Sequence, residues 1–173
     1  EMCIRDSFGR GPAENYLDRN AGSMVGLYKS TAEELYFPYV RPQENGHHTD
    51  TRWVSLSTGK KGLLIQADNT IGFNALRNSI EDFDDEEATG LSRQWSNFTP
   101  EQVANHDEAA AKNVLRRQHH INDITPRDFV EVCVDLKQQG VAGYDSWGSR
   151  PEPAYTLPAN REYNWGFTLI PLK

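Results

Sequence analysis

Hydrophobic and polar positions alternate with a period of two along several short runs of the chain. The clearest is FVEVCVDL, residues 129–136, where Val and Leu occupy every second position. TRWVSLS (51–57) alternates in the same way, and EYNWGFTLI (162–170) places aromatic residues on one face. Successive side chains of a strand point to opposite faces, so this pattern predicts half-buried β-strands. LYFPYV (35–40) and GLLIQA (62–67) are further strand candidates.

The breaks between these runs are short and rich in Gly, Pro and Asn. Such spacing favours an antiparallel β-sandwich over alternating strands and helices, so the predicted fold class is all-β. One helix start is well marked, because Thr99, Pro100 and Gln102 match a capping box with proline at the first helical position. We therefore expect one short helix near residues 100–110.

Composition limits the kinds of partner that this chain is expected to bind. The chain has 173 residues and a net charge of −7, and this acidic balance argues against a nucleic-acid partner. No apolar run approaches the roughly 20 residues that span a bilayer, so we expect no membrane partner. The first seven residues, EMCIRDS, share no pattern with the rest of the chain. We interpret residues 1–7 as a non-native junction and residues 8–173 as the domain.

The ionisable residues do not form a recognisable catalytic or metal-binding motif. Glu14 and Asp18 lie among Arg10 and Arg19, and alternating opposite charges around a Gly-Pro turn predict a structural ion-pair network. The histidines occur as His106 and two doublets, 47–48 and 119–120. Neighbouring residues on a strand face opposite ways, so a doublet rarely chelates one ion, and we expect structural or surface roles.

The segment GVAGYDSWGSRPE, residues 140–152, places Trp147 among residues that build exposed turns. Two interpretations are open: the loop folds back and buries the indole, or it displays the ring for a ligand. Asp145 and Ser146 can accept hydrogen bonds from neighbouring backbone N–H groups and stiffen the loop.

Three separated motifs carry a resemblance to a known family. They are GRGPAENYLDR (9–19), YVRPQENG (39–46) followed by TDTRW, and GVAGYDSWGSRPEPAYTLPA (140–159) followed by an aromatic last run. In this order they resemble the C-terminal domain of family 2 glycoside hydrolases, the large bacterial β-galactosidases, over nearly all of residues 8–172. The resemblance implies the second half of an antiparallel β super-sandwich similar to that of galactose mutarotases.

The resemblance also implies a function. The chain would be the C-terminal segment of a retaining β-galactosidase that hydrolyses terminal β-D-galactosides such as lactose. The catalytic Glu pair would lie in a separate barrel domain, so we expect no catalytic residue and no hydrolase activity in this fragment. In the family, the Trp of the DSW motif is a platform beside the leaving-group sugar. The predicted substrate-binding residues are therefore Trp147, Asp145, Ser146 and Tyr144.

Two departures from the family pattern concern the same loop. A Gly is common where Ala142 stands, and an Asp or Asn where Tyr144 stands. Ala disfavours positive φ, so the loop path is expected to differ slightly, and Tyr144 adds a second aromatic ring near Trp147.

The remaining expectations concern cofactors and partners. The family's magnesium and sodium ligands belong to other domains, so no cofactor or metal site is expected here. The expected partners are a galactoside or acceptor sugar, the remaining domains of the parent, and a second copy of the parent, since related enzymes oligomerise. An alternative is a stand-alone carbohydrate-binding or mutarotase-like module. The sequence leaves the compartment open between bacterial cytoplasm and periplasm.

Overall fold

The computed structural model describes residues 3–40, 43–83, 121–145 and 147–173. Within these residues the secondary structure is dominated by strands, with one short α-helix. The elements are β1 (Cys3–Gly11), β2 (Met24–Thr31), α1 (Ala32–Leu35), β3 (His48–Thr58), β4 (Lys61–Leu76), β5 (Glu131–Asp135) and β6 (Phe167–Leu172).

The six strands form one antiparallel sheet in the order β2-β1-β3-β4-β5, with β6 also paired to β4. The 16-residue strand β4 holds both C-terminal strands. Its first part, Gly62–Ala67, pairs with β6, and its end, Gly72–Leu76, pairs with β5. This architecture confirms the predicted all-β antiparallel fold class.

The alternating runs correspond to strands with adjusted ends. The run at 51–57 lies inside β3, the run at 129–136 contains β5, and GLLIQA lies inside the longer β4. The aromatic run at 162–170 becomes a strand only from Phe167. Strand β1 pairs with its neighbours from Cys3 onward, so part of the segment predicted to be a junction lies in the sheet. This pairing does not test whether residues 1–7 are native.

The strand predicted at residues 35–40 is wrong. Thr31 accepts a hydrogen bond from the Glu34 N–H, and the Glu34 side chain accepts one from the Thr31 N–H. This capping box starts the single helical turn α1, which buries Ala32 and Leu35. Beyond the turn, Phe37 donates its N–H to the side chain of Asn45 instead of to a neighbouring strand. The helix predicted near 100–110 lies outside the described residues.

The core lies on the central strands. Val54 of β3 and Ile71, Phe73 and Ala75 of β4 are almost completely buried. Phe73 also stacks on the ring of His48, with ring centroids 5.3 Å apart. An apolar groove of about 560 Å³ remains open on β4, β5, β6 and the end of β3, and its lining includes Ile65, Val132, Val134, Phe167 and Leu169.

The contacts of the chain divide it into two units. The first comprises Glu1–Phe37, Asn45–Arg77 and Asp128–Lys173, and carries the whole sheet. The second comprises Pro38–Glu44 and Asn78–Arg127. In the second unit, the guanidinium of Arg127 donates two hydrogen bonds to the buried Asp82 carboxylate, and this contact lowers the pKa of Asp82.

No helix in the described part of the chain combines the length and the apolar character of a membrane span.

Candidate functional site

Trp147 lies on the long connection between β5 and β6. Its exposed fraction is 93%, against 46% for Trp165, which contacts Phe167. Of the two interpretations of the loop, the one in which the loop folds back and buries the indole is wrong, because the ring is exposed to solvent. We call residues 140–149 the Trp147 loop.

Hydrogen bonds within the Trp147 loop give it a defined turn. The Asp145 carboxylate accepts from the N–H of Trp147 at 2.8 Å and from the N–H of Ser149 at 3.3 Å. The hydroxyl of Ser149 accepts from the N–H of Tyr144 at 3.2 Å. The predicted hydrogen bonds from neighbouring backbone N–H groups to Asp145 are therefore confirmed, and Ser146 lies outside the described residues. Ser149 is an additional support that sequence reasoning missed.

The backbone of the loop turns sharply at Ala142 and Gly143. Ala142 has φ of 55° and Gly143 has φ of 85°. The left-handed region costs a residue with a Cβ about 1–2 kcal/mol, and glycine almost nothing. Ala142 nevertheless adopts it, with 7% of its surface exposed. The alanine is thus accommodated with strain in a backbone conformation that glycine would adopt at almost no cost.

The strained turn is held from outside the loop by Asp18. One carboxylate oxygen accepts the N–H of Val141 at 3.0 Å, and the other accepts the N–H of Ala142 at 2.8 Å. Asp18 belongs to the motif GRGPAENYLDR, more than 120 residues earlier in the chain. Two of the three motifs therefore meet in space at this point.

Gly140 permits this close approach. Its N–H donates to the carbonyl of Tyr155 at 2.8 Å. A Cβ at position 140 would lie 2.6 Å from the carboxylate of Asp18 and 3.0 Å from the Cβ of Tyr155. Both distances are shorter than ordinary van der Waals contact, so the glycine is required by the packing of Asp18.

Tyr144 is 58% exposed and lies in the same loop as Trp147. Partial loss of hydration and the nearby carboxylates of Asp18 and Glu152 raise the pKa of its phenol. The group therefore stays protonated at neutral pH and can donate a hydrogen bond.

Among the residues that the structure describes, the charged side chains of the first motif do not pair with one another, so the predicted structural ion-pair network is present there only as one pair to a residue outside the motif. Arg10 forms its ion pair with Asp50, at 2.6 Å between Nε and Oδ2. The Glu14 carboxylate accepts the N–H of Gly46 at 2.8 Å. An ionised carboxylate forms strong hydrogen bonds with backbone N–H groups. Both acidic side chains of the motif use such bonds to join segments that are distant in the sequence. Gly46 has φ of 74°, a left-handed backbone that glycine adopts without steric cost.

Asn15, Tyr16, His47, His48 and Thr49 pack together, and we call them the buried junction. The side-chain oxygen of Asn15 accepts from the N–H and the hydroxyl of Thr49, and its amide donates to the carbonyls of Arg10 and Ala13. Asn15 also donates its own N–H to the His47 carbonyl at 2.7 Å.

Both histidines of the junction have structural positions, in agreement with their predicted role. The rings of Tyr16 and His47 stack with centroids 5.7 Å apart, and each ring nitrogen of His48 faces a carbonyl oxygen. Burial, and to a smaller extent His48, lowers the pKa of His47 to about 4. Burial also lowers the pKa of His48, opposed by its contacts with Pro12 and Gly46. The other three histidines lie outside the described residues.

Three of the four predicted substrate-binding residues, Tyr144, Asp145 and Trp147, share one ordered turn. Within the described ranges, no group of three or more His, Cys, Asp or Glu side chains is arranged to hold a metal ion. Asp18 was not among the predicted binding residues. Its only signal in the sequence was membership of a motif, which does not indicate a contact partner.

The antiparallel sheet places the chain among all-β proteins and is consistent with a β-sandwich fold. The model of the family described as β-galactosidase small chain matches residues 6–169, so the chain belongs to that family. A β-galactosidase of Priestia megaterium is 36% identical over 166 residues, which cover 95% of this chain and 13% of the relative. A β-galactosidase of Streptococcus thermophilus is 29% identical over 167 residues, with the same two coverages. The chain thus spans 13% of the length of these relatives.

Proposed function

We propose that this chain is the part of a retaining β-galactosidase that supplies an aromatic platform to the leaving-group sugar subsite. The observation that carries the proposal is the position of Trp147, which is 93% exposed at the tip of a hydrogen-bonded turn. Burial of an indole is favourable, so a tryptophan held in water by an ordered loop indicates a surface awaiting a ligand or another domain.

The chemistry of an indole suits a sugar. One face of a pyranose carries apolar C–H groups with a slight positive charge, and the indole face is apolar and slightly negative. Stacking makes little demand on the orientation of hydroxyl groups, which suits a subsite for glucose or other acceptors. Asp145 acts by fixing the turn, and the exposed phenol of Tyr144 offers a hydrogen-bond donor beside the ring.

The hydrolytic chemistry is assigned elsewhere in the parent enzyme. Retaining glycosidases use two carboxyl groups about 5–5.5 Å apart. The proposed substrates are terminal β-D-galactosides such as lactose, and the proposed catalytic Glu pair belongs to the barrel domain. Magnesium and sodium would likewise be bound by other domains, and the partners of this chain would be those domains, the sugar and a second copy of the parent.

The platform is tested with Trp147→Ala in the full-length parent enzyme. Binding of glucose and other acceptors at the leaving-group position should weaken by about 1–2 kcal/mol, the order of one lost aromatic contact. Binding of galactose analogues should remain almost unchanged. Trp165→Ala is the matched control, because it removes an indole outside the Trp147 loop, and it should change neither affinity. Equal losses for glucose and galactose analogues after Trp147→Ala would refute the platform.

The expected inactivity of the chain by itself has a separate test. The isolated chain is incubated with a chromogenic aryl β-galactoside beside the parent enzyme at equal molar concentration. Release of the aryl alcohol by the parent alone is the expected result. Turnover by the chain at a rate proportional to its concentration, and retained after repurification, would contradict it.

A further inference from the structure

The carboxylate of Asp18 occupies an unusual position for a side chain outside the Trp147 loop. Its two oxygens accept the N–H groups of two consecutive loop residues, Val141 and Ala142. Bonds from an ionised acceptor to backbone N–H groups are stronger than neutral ones. One side chain therefore fixes the orientation of two adjacent peptide groups.

The residue that Asp18 holds is also the strained one. Ala142 has φ of 55°, which disfavours any residue with a Cβ. Backbone strain of this kind persists only where the surroundings determine the conformation. Two features hold Ala142 in this conformation: the hydrogen bond from its N–H to Asp18 and the burial of its methyl group.

The direction of the loop depends on this turn. Ala142 is followed by Gly143, with φ of 85°, and then by the Asp145 turn that carries Trp147. No strand holds the described part of the chain between the end of β5 at Asp135 and the start of β6 at Phe167. The contacts at Asp18 and Tyr155 are therefore points at which the loop is tied to other segments.

We propose that Asp18 is a positioning residue for Trp147: its carboxylate fixes the left-handed turn at Ala142 and thereby the direction in which the indole is presented. The consequence for sugar affinity rests on the proposed function, whereas the consequence for loop order does not. Asp18 itself does not touch the sugar in this proposal.

Asp18→Asn tests the loop order in the chain itself. The amide keeps the shape of the carboxylate, but it has one oxygen for two N–H donors and brings an NH₂ group against the second. Hydrogen-exchange protection of Val141 and Ala142 should fall roughly tenfold or more. The order parameter of the Trp147 amide should fall from about 0.85 toward 0.6. Protection of the Asn15 N–H, which bonds to the His47 carbonyl, should stay unchanged.

Two further variants separate positioning from general damage. Gly140→Ala approaches the same contact from the other side, because its Cβ would meet the Asp18 carboxylate. It should reproduce the loss of protection, and the double variant should add little to either single change. Glu14→Gln is the matched control: it weakens a carboxylate of the same motif that binds Gly46, and it should leave the Trp147 order parameter unchanged.

The parent enzyme supplies the functional measurement. Asp18→Asn should raise the Kd of glucose as acceptor roughly three- to tenfold and leave that of galactose analogues unchanged. In a Trp147→Ala background the same substitution should have no further effect.

The outcomes separate this proposal from the platform proposal. Unchanged protection and order in Asp18→Asn would overturn the positioning role, as would an equal loss of protection at Asn15. If the loop loses order in Asp18→Asn while Trp147→Ala does not alter acceptor binding, the positioning role stands and the platform fails.

Discussion

The buried junction and the Trp147 loop are made of similar residue types and have opposite structural outcomes. Both combine aromatic rings with short polar side chains that bind backbone groups. In the junction, Asn15 and His47 are each 1% exposed, whereas the indole of Trp147 stays in water. The first motif serves both regions, since Glu14 contacts the turn beside the junction and Asp18 contacts the loop.

The difference lies in how far the polar groups are enclosed by the rest of the chain. Each region has its own set of backbone donors and acceptors, but only the junction is enclosed between paired segments. Enclosed polar groups are costly to leave unpaired, so the junction should govern stability. Groups at the loop can exchange protein partners for water, so the loop should govern binding with little effect on unfolding.

The largest expected effect is at the centre of the junction. Asn15→Ala removes the acceptor of the Thr49 N–H and hydroxyl and the donor to the Arg10 and Ala13 carbonyls, and should lower the free energy of unfolding by roughly 4 kcal/mol. Urea denaturation followed by fluorescence measures it. Asn20→Ala is the control, because its side chain donates one bond, to the Thr49 hydroxyl, and should cost about 1 kcal/mol. Similar losses for the two variants would show that the junction is not specially important.

The second effect is a pH dependence that belongs to the junction. The folded-state pKa of His47 is lowered from 6.5 to about 4, so the unfolded chain binds more protons between these values. Stability from this group is complete above about pH 6.5 and falls, by on the order of 3 kcal/mol, as the pH drops to about 4. Urea midpoints are measured from about pH 7.5 to about pH 4.

His47→Gln provides the comparison for this pH series. It carries no titrating group at position 47, so the difference between the two chains isolates the histidine from the carboxylates. The slope of unfolding free energy against pH should be smaller for the variant over this window. Parallel curves for the two chains would contradict the burial of a neutral His47.

A smaller effect, of opposite sign, is expected in the loop. Ala142→Gly relieves left-handed strain but gives the unfolded chain more freedom, so the net gain should be about 0.5–1 kcal/mol. Ala154→Gly is a matched control in the short 3₁₀ turn Pro153–Tyr155, where φ is not positive, and it should be slightly destabilising. Thermal unfolding of both variants compares them. Destabilisation by Ala142→Gly would mean that its buried methyl group outweighs the strain.

The smallest effect on stability is expected for Trp147→Ala. An indole that is 93% exposed has little packing to lose, so the free energy of unfolding should change by less than about 0.5 kcal/mol. Urea denaturation against the unchanged chain measures it. A loss above roughly 1 kcal/mol would place Trp147 with the buried junction and erase the contrast between the two regions.

The sequence by itself predicted the antiparallel all-β class, and it placed strands at 51–57, 62–67 and 129–136, because alternation with a period of two reports which face of a strand is buried. It did not predict β1 and β2, and it placed a strand at 35–40, where the capping box at Thr31 starts a helical turn instead. Local side-chain bonds overrode an extended apolar pattern there.

The candidate site was also only partly predictable from the sequence. The turn-forming residues around Trp147 and the role of Asp145 were evident locally, since an Asp side chain reaches N–H groups two to four residues away. The contact of Asp18 with Val141 and Ala142 was not, because nothing in local sequence pairs residues more than 120 positions apart. Only the tertiary structure brings the first motif against the loop, and that long-range contact determines where the strained turn at Ala142 points the indole.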